Sequence, residues 1–384
     1  MSTTTPSTTT SSTSTTTTSP SPGPTHSDDR PVTADAFAER IFTSALATAE
    51  TMSIYLGERL GWYDCLVQHG PVSADELADR TGTHRRYARE WLEMQSAFGI
   101  LDADLDADPI RFGIQPGVAE ALTDTASLAY LGTLPRMFAA SFGQLPALLD
   151  AYRTGGGVSW AELGADAREC QAALNRPWFD RQLAPALAGV DGLHARLSRS
   201  GARIADVGFG AGYSTIALAK AYPEATFVGL DVDEASVQMA RHAAAEAGVD
   251  DRVEFVLADA SDAGQRGPFD VVFAFECVHD MPRPVEVLAA ARAALAPDGV
   301  MVIMDEAVSD EFAGPADDLD KIMYAFSLFV CLPDGMSSTP SAGTGTVMRA
   351  STLRAYAQQA GFAEVEVLPI EEFSFFRFYQ LTPG

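Results

Sequence analysis

Within the 384-residue chain, Asp206-Val-Gly-Phe-Gly-Ala-Gly212 places three alternate glycines at Gly208, Gly210 and Gly212, starting two residues after an acid. Glycines at such spacing let the backbone take positive φ and approach a ligand closely. A dinucleotide fingerprint would put its third glycine at position 213, where this chain has Tyr213. A carboxylate at Asp206 would repel a pyrophosphate but can hold an ammonium group through local contacts. Asp231 follows the next apolar run, where a carboxylate can accept both hydroxyls of a ribose. Asp259 follows the one after, where it can bond an adenine amino group. With Val232 and Ala260 beside these acids, the pattern describes a nucleoside that carries a cation and no pyrophosphate.

A second constellation lies in Phe275-Glu-Cys-Val-His-Asp-Met281 and Met304-Asp-Glu306. Phe275 and Glu276 are expected to line the same ligand. His279 follows a strand directly and should face a pocket, where it could take a proton from a hydroxyl nucleophile. Two further readings stay open, a loop-capping histidine and one touching the bound ligand, and an amine nucleophile would need no base. Glu306 reads either as a carboxylate that orients His279 or as a loop acid beside Asp305. Asp262 reads as a solvated loop acid. No metal is expected, because the six histidines show no H-x-x-x-H or H-E-x-x-H spacing. Cys65, Cys170, Cys277 and Cys331 are scattered and form no C-x-x-C pair, which suits a reducing compartment.

These residues need a scaffold that puts the ends of successive strands together. From Arg203 the pattern alternates strand and helix, with strands expected at 203–207, 226–230, 253–257, 270–275 and 300–304. Helices are expected at about 214–221, 234–247 and 285–296. The alternation predicts an α/β fold, a mostly parallel, doubly wound Rossmann-like sheet. Asp206, Asp231 and Asp259 all fall at carboxyl ends of strands, the side on which such sheets bind ligands. Segments 365–368 and 373–379 read as a terminal hairpin at the sheet edge.

Upstream, residues 1–30 are Ser, Thr and Pro-rich and read as a disordered tail. Residues 31–114 begin with an apolar helical stripe (Phe37, Ile41, Leu46), then show a capping box at Ser73 and Glu76 and a helix from His84. Ile100-Leu101 and Ile110–Phe112 flank an Asp-rich loop, so helix, turn, helix and wing read as a winged helix. Residues 115–200 read as a helical connector contributing to a substrate pocket, and 201–384 as the ligand-binding domain.

A net charge of −26 argues against binding a phosphate backbone. Arg85, Arg86 and Arg89 would suit a DNA-reading helix, but Glu90 and Glu93 share it and Asp102, Asp104, Asp106 and Asp108 crowd the wing. No apolar run is long enough for a bilayer and no secretory start is visible, so a cytoplasmic protein without membrane or nucleic-acid partners is expected.

From about residue 35 to 382 the chain resembles class I S-adenosylmethionine-dependent methyltransferases with an N-terminal winged-helix dimerisation domain, of actinobacterial type. The likeness rests on Asp206–Gly212, Asp231, 275–281, Ala296-Pro-Asp-Gly299, 304–306 and Pro340-Ser-Ala-Gly-Thr-Gly-Thr-Val-Met-Arg349. It implies one antiparallel edge strand, S-adenosylmethionine as donor, a small-molecule acceptor of secondary metabolism and a homodimer formed through the winged-helix domain. In the related winged-helix O-methyltransferases a His-Asp-Trp triplet supplies the general base. This chain keeps His279 and Asp280 but has Met281 for the Trp, and Glu306 matches the orienting carboxylate. A methyltransferase acting on nitrogen or carbon by proximity alone, a ligand-sensing winged-helix regulator and a catalytically silent cofactor-binding dimer are the alternatives. No chemistry attaches to 340–349, a loop at the substrate mouth or a structural hairpin.

Overall fold

The computed structural model describes residues 31–373 and 375–384, so the expected Ser/Thr/Pro-rich tail lies outside the described residues. The chain divides into two units, one ending at Thr48 and one running from Ala49 to Gly384. In the first, the described residues from Ala34 onward are helical, and Phe37, Ile41, Phe42 and Leu46 are exposed.

The second unit begins with the winged helix. Ser73 caps the helix Ala74–Thr81, accepting from the Glu76 amide while Glu76 accepts from the Ser73 amide at 2.8 Å. This reciprocal pair satisfies two amides that a helix start leaves free. The helix Arg85–Ala97 packs Trp91 and Leu92 against Trp62, Tyr63 and Leu77. Strands β1 (Leu101–Asp104) and β2 (Arg111–Ile114) pair antiparallel as the wing. The three arginines of the helix face acids of their own chain: Arg85 bonds Asp79, Arg86 pairs with Glu90, and Arg89 bonds Glu93 at 2.7 Å.

The remaining strands are β3 (Arg203–Val207), β4 (Thr226–Asp231), β5 (Val253–Leu257), β6 (Phe269–Phe275), β7 (Leu295–Glu306), β8 (Phe362–Val367) and β9 (Phe376–Pro383). They form one sheet in the order β5-β4-β3-β6-β7-β9-β8. Strands β3 to β7 are parallel, β9 runs antiparallel to β7, and β8 antiparallel to β9. The reversed strand is therefore β9, one place in from the edge. Composition explains the order: β9 buries Phe378, Tyr379 and Leu381 between neighbours, whereas β8 carries Glu364 and Glu366 and tolerates the rim.

Strand alternation gives the sheet two apolar faces. Ile204, Phe227, Phe273 and Val302 belong to one core, and Ala205, Val272, Met301 and Tyr379 to the other. The helix expected over 285–296 ends at Ala293, because Leu295 already pairs with Phe269 at the start of β7. Chain order reverses on either side of β3, whose neighbours are β4 and β6. A crevice at the carboxyl ends of strands opens at such a switch point. Helices Leu134–Gly143, Trp160–Trp178 and Asp318–Phe326, the last continuing into a π-helical turn at Ser327–Cys331, contribute walls to it. Among the described residues, no helix is long and apolar enough to cross a membrane.

Candidate active site

One cavity of about 880 Å³ lies at this crevice and joins both constellations of polar residues. That volume is near the upper end of the usual range for small-molecule sites. Its far wall is apolar, with Met137, Trp160, Met323, Phe326 and Val330.

At one pole, β3 ends in the glycine turn, where Gly208, Gly210 and Gly212 have φ of 69°, 54° and 76°. Their roles differ. A Cβ on Gly208 would come within 2.8 Å of Cys277, and one on Gly212 within 2.6 Å of Phe255, so these two permit close packing. A Cβ on Gly210 would meet nothing within 4 Å, and Gly210 lines the cavity. The Asp231 carboxylate at the end of β4 accepts from the Gly210 amide at 2.8 Å and the Asp233 amide at 2.9 Å. Each oxygen keeps a lone pair for a ligand, since a carboxylate offers about four acceptor sites. Burial raises the pKa of Asp231 above the ordinary range.

Asp206, expected to hold a ligand ammonium through local contacts, is 1% exposed and is not among the residues lining the cavity. Its Oδ2 accepts from Ser214 at 2.8 Å and Thr215 at 2.6 Å, tying the first turn of the helix Tyr213–Ala221 to β3. Alternation along β3 turns this side chain into the layer between sheet and helix. Burial pushes its pKa up to about 7.

Val232, Asp259, Ala260, Phe275 and Glu276 all line the cavity. Asp259 accepts from the Ser261 amide at 2.8 Å, capping the short 3₁₀ turn Ala260–Gln265. Asp262 sits in that turn and accepts from Gln265 at 3.1 Å on an exposed surface. Glu276 has φ of 51°, the one positive value at a non-glycine residue among those described. Such a backbone costs about 1–3 kcal/mol and persists where its surroundings over-determine it. Here Gln171 and Asn175, one turn apart on a single helix, donate to its two oxygens at 2.9 Å each. Burial, with the nearby Glu306 charge, pushes Glu276 up to about 8. Sequence reasoning missed both amides, and their i, i+4 spacing on a helix was the available signal.

At the other pole stands His279, 2% exposed. Its Nδ1 lies 2.9 Å from Asp305 Oδ1 and 3.1 Å from Glu306 Oε2, and its Nε2 lies 3.3 Å from Asp280 Oδ1. Burial alone would lower the pKa of this imidazole. The charges of Asp280, Glu306 and Asp305 outweigh that and hold it well above its usual value. Burial pushes Glu306 up to about 8. Asp305, read in the sequence only as a neighbour of Glu306, makes the shorter contact to the ring.

The 340–349 segment braces this pole. The Ala342 amide donates to the Pro282 carbonyl at 2.8 Å and the Gly345 amide to the His279 carbonyl at 3.1 Å. Gly345 has φ of 73°, and a Cβ there would come 2.5 Å from Ser327 Oγ. Arg349 bonds the Ser309 carbonyl and Tyr324, linking the loop after β7 to the helix Asp318–Phe326.

The site can be compared with known proteins. Over 175 residues the chain is 32% identical to a ubiquinone biosynthesis O-methyltransferase of Bordetella parapertussis, spanning 46% of this chain and 70% of that protein. The chain belongs to the S-adenosylmethionine-dependent methyltransferases. The family described as "Methyltransferase domain" matches residues 198–332, and the "Rv2258c-like winged HTH domain" matches residues 48–123. The 27-O-demethylrifamycin SV methyltransferase of Amycolatopsis mediterranei is 34% identical over 125 residues, which span 32% of this chain and 46% of that protein's length. Among solved structures, the mitomycin 7-O-methyltransferase MmcR superposes with a TM-score of 0.69 at 22% identity, covering 91% of this chain and 99% of its own. An O-methyltransferase family protein from Burkholderia thailandensis gives 0.69 at 17%, covering 92% and 99%. These two share the fold, winged helix and sheet together. The donor fits the glycine pole: Gly210 leaves open space beside a carboxylate with free lone pairs, and the acids suit a cationic ligand.

Proposed function

We propose that this chain transfers a methyl group from S-adenosylmethionine to a hydroxyl of a small-molecule acceptor, with His279 taking the hydroxyl proton. The observation that carries this is the single cavity running from the glycine turn to His279. Several relatives are named as O-methyltransferases, which favours oxygen as the acceptor atom.

When bound, the donor supplies an electrophilic sulfonium methyl, so the chain mainly has to align a nucleophile and exclude water. On the donor side Gly208, Gly210, Asp231, Val232, Asp259, Ala260, Phe275 and Glu276 hold and orient it, and Gly212 and Asp206 steady the turn from behind. On the acceptor side the apolar wall receives the body of the substrate. Its hydroxyl approaches His279 Nε2, while Asp305 and Glu306 at Nδ1 stabilise the imidazolium that forms. The same carboxylates hold the ring protonated beforehand. A sulfonium in the cavity opposes that charge and favours the neutral, basic form.

The exposed apolar side chains Phe37, Ile41, Phe42 and Leu46 support a homodimer formed through the N-terminal region. Arg85, Arg86 and Arg89, each already paired with an acid, argue against a nucleic-acid partner. The test is formation of S-adenosylhomocysteine with a panel of hydroxylated metabolites, followed by mass spectrometry of the product. Transfer to nitrogen or carbon, or no transfer with intact donor binding, would overturn the O-methylation reading.

A further inference from the structure

Two amides, Gln171 and Asn175, grip the Glu276 carboxylate from the helix Trp160–Trp178 and take no part in the proton transfer proposed above. Arg168 precedes them on the same helix, and residues three, four and seven apart share one helix face. At the end of β4, Arg168 Nε donates to Asp233 Oδ2 at 2.6 Å. At the end of β6, Gln171 donates to Glu276 Oε2 and Asn175 to Oε1, both at 2.9 Å. A single helix face thus clasps both strands that flank β3 and its glycine turn. The opposite face is anchored as well: Asp166 accepts from the Tyr55 hydroxyl at 2.9 Å, and Glu169 pairs with Arg136. Held from both sides, the two amides are fixed in place before a ligand arrives.

We propose that Glu276, positioned by Gln171 and Asn175, recognises the positive charge on the donor's sulfur, so that the site favours the charged donor over its neutral product. Three observations support this. First, Glu276 stands between the two poles: it lines the cavity three residues before His279, and the charges of Glu306 and His279 both act on it. Transfer to an acceptor beside His279 requires the donor's sulfur in that same stretch. Second, both oxygens of Glu276 are already engaged by amides. A sulfonium has no N–H to donate, so an engaged carboxylate serves it by charge alone, whereas an ammonium needs acceptors. Third, burial and the Glu306 charge oppose ionisation of Glu276, while the amides and a neighbouring cation favour it. An arriving sulfonium takes over as counter-charge when His279 becomes neutral.

Methyl transfer breaks the S–CH3 bond, returns its electron pair to sulfur and leaves a neutral thioether, while the acceptor's proton passes to His279. The charge that Glu276 recognised is then gone, which favours release of the product. An opposite charge at about 4–6 Å favours an ionised carboxylate by about 10–1000-fold. By linkage, a charged ligand there favours the ionised side chain by the same factor.

The experiment titrates the full-length chain by calorimetry with S-adenosylmethionine, with S-adenosylhomocysteine, and with sinefungin, whose amine stands where the sulfonium would be. Glu276→Gln should cut the preference for the two charged ligands over S-adenosylhomocysteine at least about tenfold. Gln171→Met and Asn175→Leu, which keep size but remove the donors, should shift it in the same direction. Asp259→Asn alters an acid on the nucleoside side, common to all three ligands, and should leave the ratio as in the parent. Thermal unfolding confirms that each variant folds; should Glu276→Gln fail to fold, Gln171→Met and Asn175→Leu carry the same comparison. An unaltered ratio, equal weakening of all three ligands, or an equal change in Asp259→Asn overturns the proposal. Equal weakening would place Glu276 on a group that donor and product share. Charge recognition at Glu276 rests on the transfer geometry proposed above, yet every readout is a binding constant. Loss of the O-methylation reading leaves these affinities standing, and an unaltered ratio leaves the O-methylation reading standing.

Discussion

Replacing Gly210 and Gly212 one at a time by alanine separates a ligand-facing glycine from a packing glycine in the same turn. Both have left-handed φ, 54° and 76°, so each alanine incurs a backbone cost of about 1–2 kcal/mol. At Gly212 the new methyl would also press on Phe255 at 2.6 Å and Ala240 at 2.8 Å. Overpacking of this kind adds about 1–3 kcal/mol, so Gly212→Ala should lose roughly 2–5 kcal/mol and Gly210→Ala roughly 1–2. The Gly210 methyl would instead project into open cavity, where the donor's nucleoside is proposed to lie. S-Adenosylhomocysteine affinity should then fall at least about tenfold in Gly210→Ala, equivalent to about 1.4 kcal/mol. Urea unfolding gives the first comparison and calorimetric titration with S-adenosylhomocysteine the second. Equal destabilisation by the two variants, or normal affinity in Gly210→Ala, would refute the division of roles.

Further outcomes are expected. Asp231→Ala should abolish S-adenosylhomocysteine binding, because it removes the carboxylate that accepts the Gly210 amide and faces the cavity; unchanged affinity would remove Asp231 from the donor site. His279→Ala should slow methyl transfer while leaving donor affinity nearly intact, and the parent rate should climb with pH as the raised imidazole pKa is crossed. A variant rate equal to the parent's would exclude His279 as base. Burial pushes Asp206 from the ordinary carboxylate range up to about 7, so the folded chain holds this proton more tightly than the unfolded chain. Its contribution to stability is therefore full below the ordinary range and lost as pH rises through about 7. Asp206→Asn, whose amide oxygen can still accept from Ser214 and Thr215, should flatten that fall in unfolding curves compared across this pH span; an unchanged slope would contradict the assignment. Phe42→Glu should shift the chain from dimer to monomer in light scattering, and an undisturbed mass would place the dimer contact elsewhere.

Local chemistry made much of this protein legible from its sequence. The glycine turn, the Ser73–Glu76 capping box and the alternation of strand and helix are written within a few residues of where they act. Their elements accordingly emerge close to the expected boundaries. The placement of Asp231 and His279 in one cavity also followed, because they lie at the carboxyl ends of β4 and β6, the two parallel strands that flank β3.

What the tertiary structure decided depends on contacts across long separations. Asp206 has the spacing of a ligand-binding acid, yet strand alternation turns it toward Ser214 and Thr215. Gln171 and Asn175 reach Glu276 from more than 100 residues away. Asp305 became the nearer partner of His279 once β7 lay beside β6. The 340–349 segment has no chemistry of its own and acts by bracing the loops beneath it. Sequence carries short-range conformational preference and strand direction; which side chains then share a buried space is set by how sheet and helices close over the crevice.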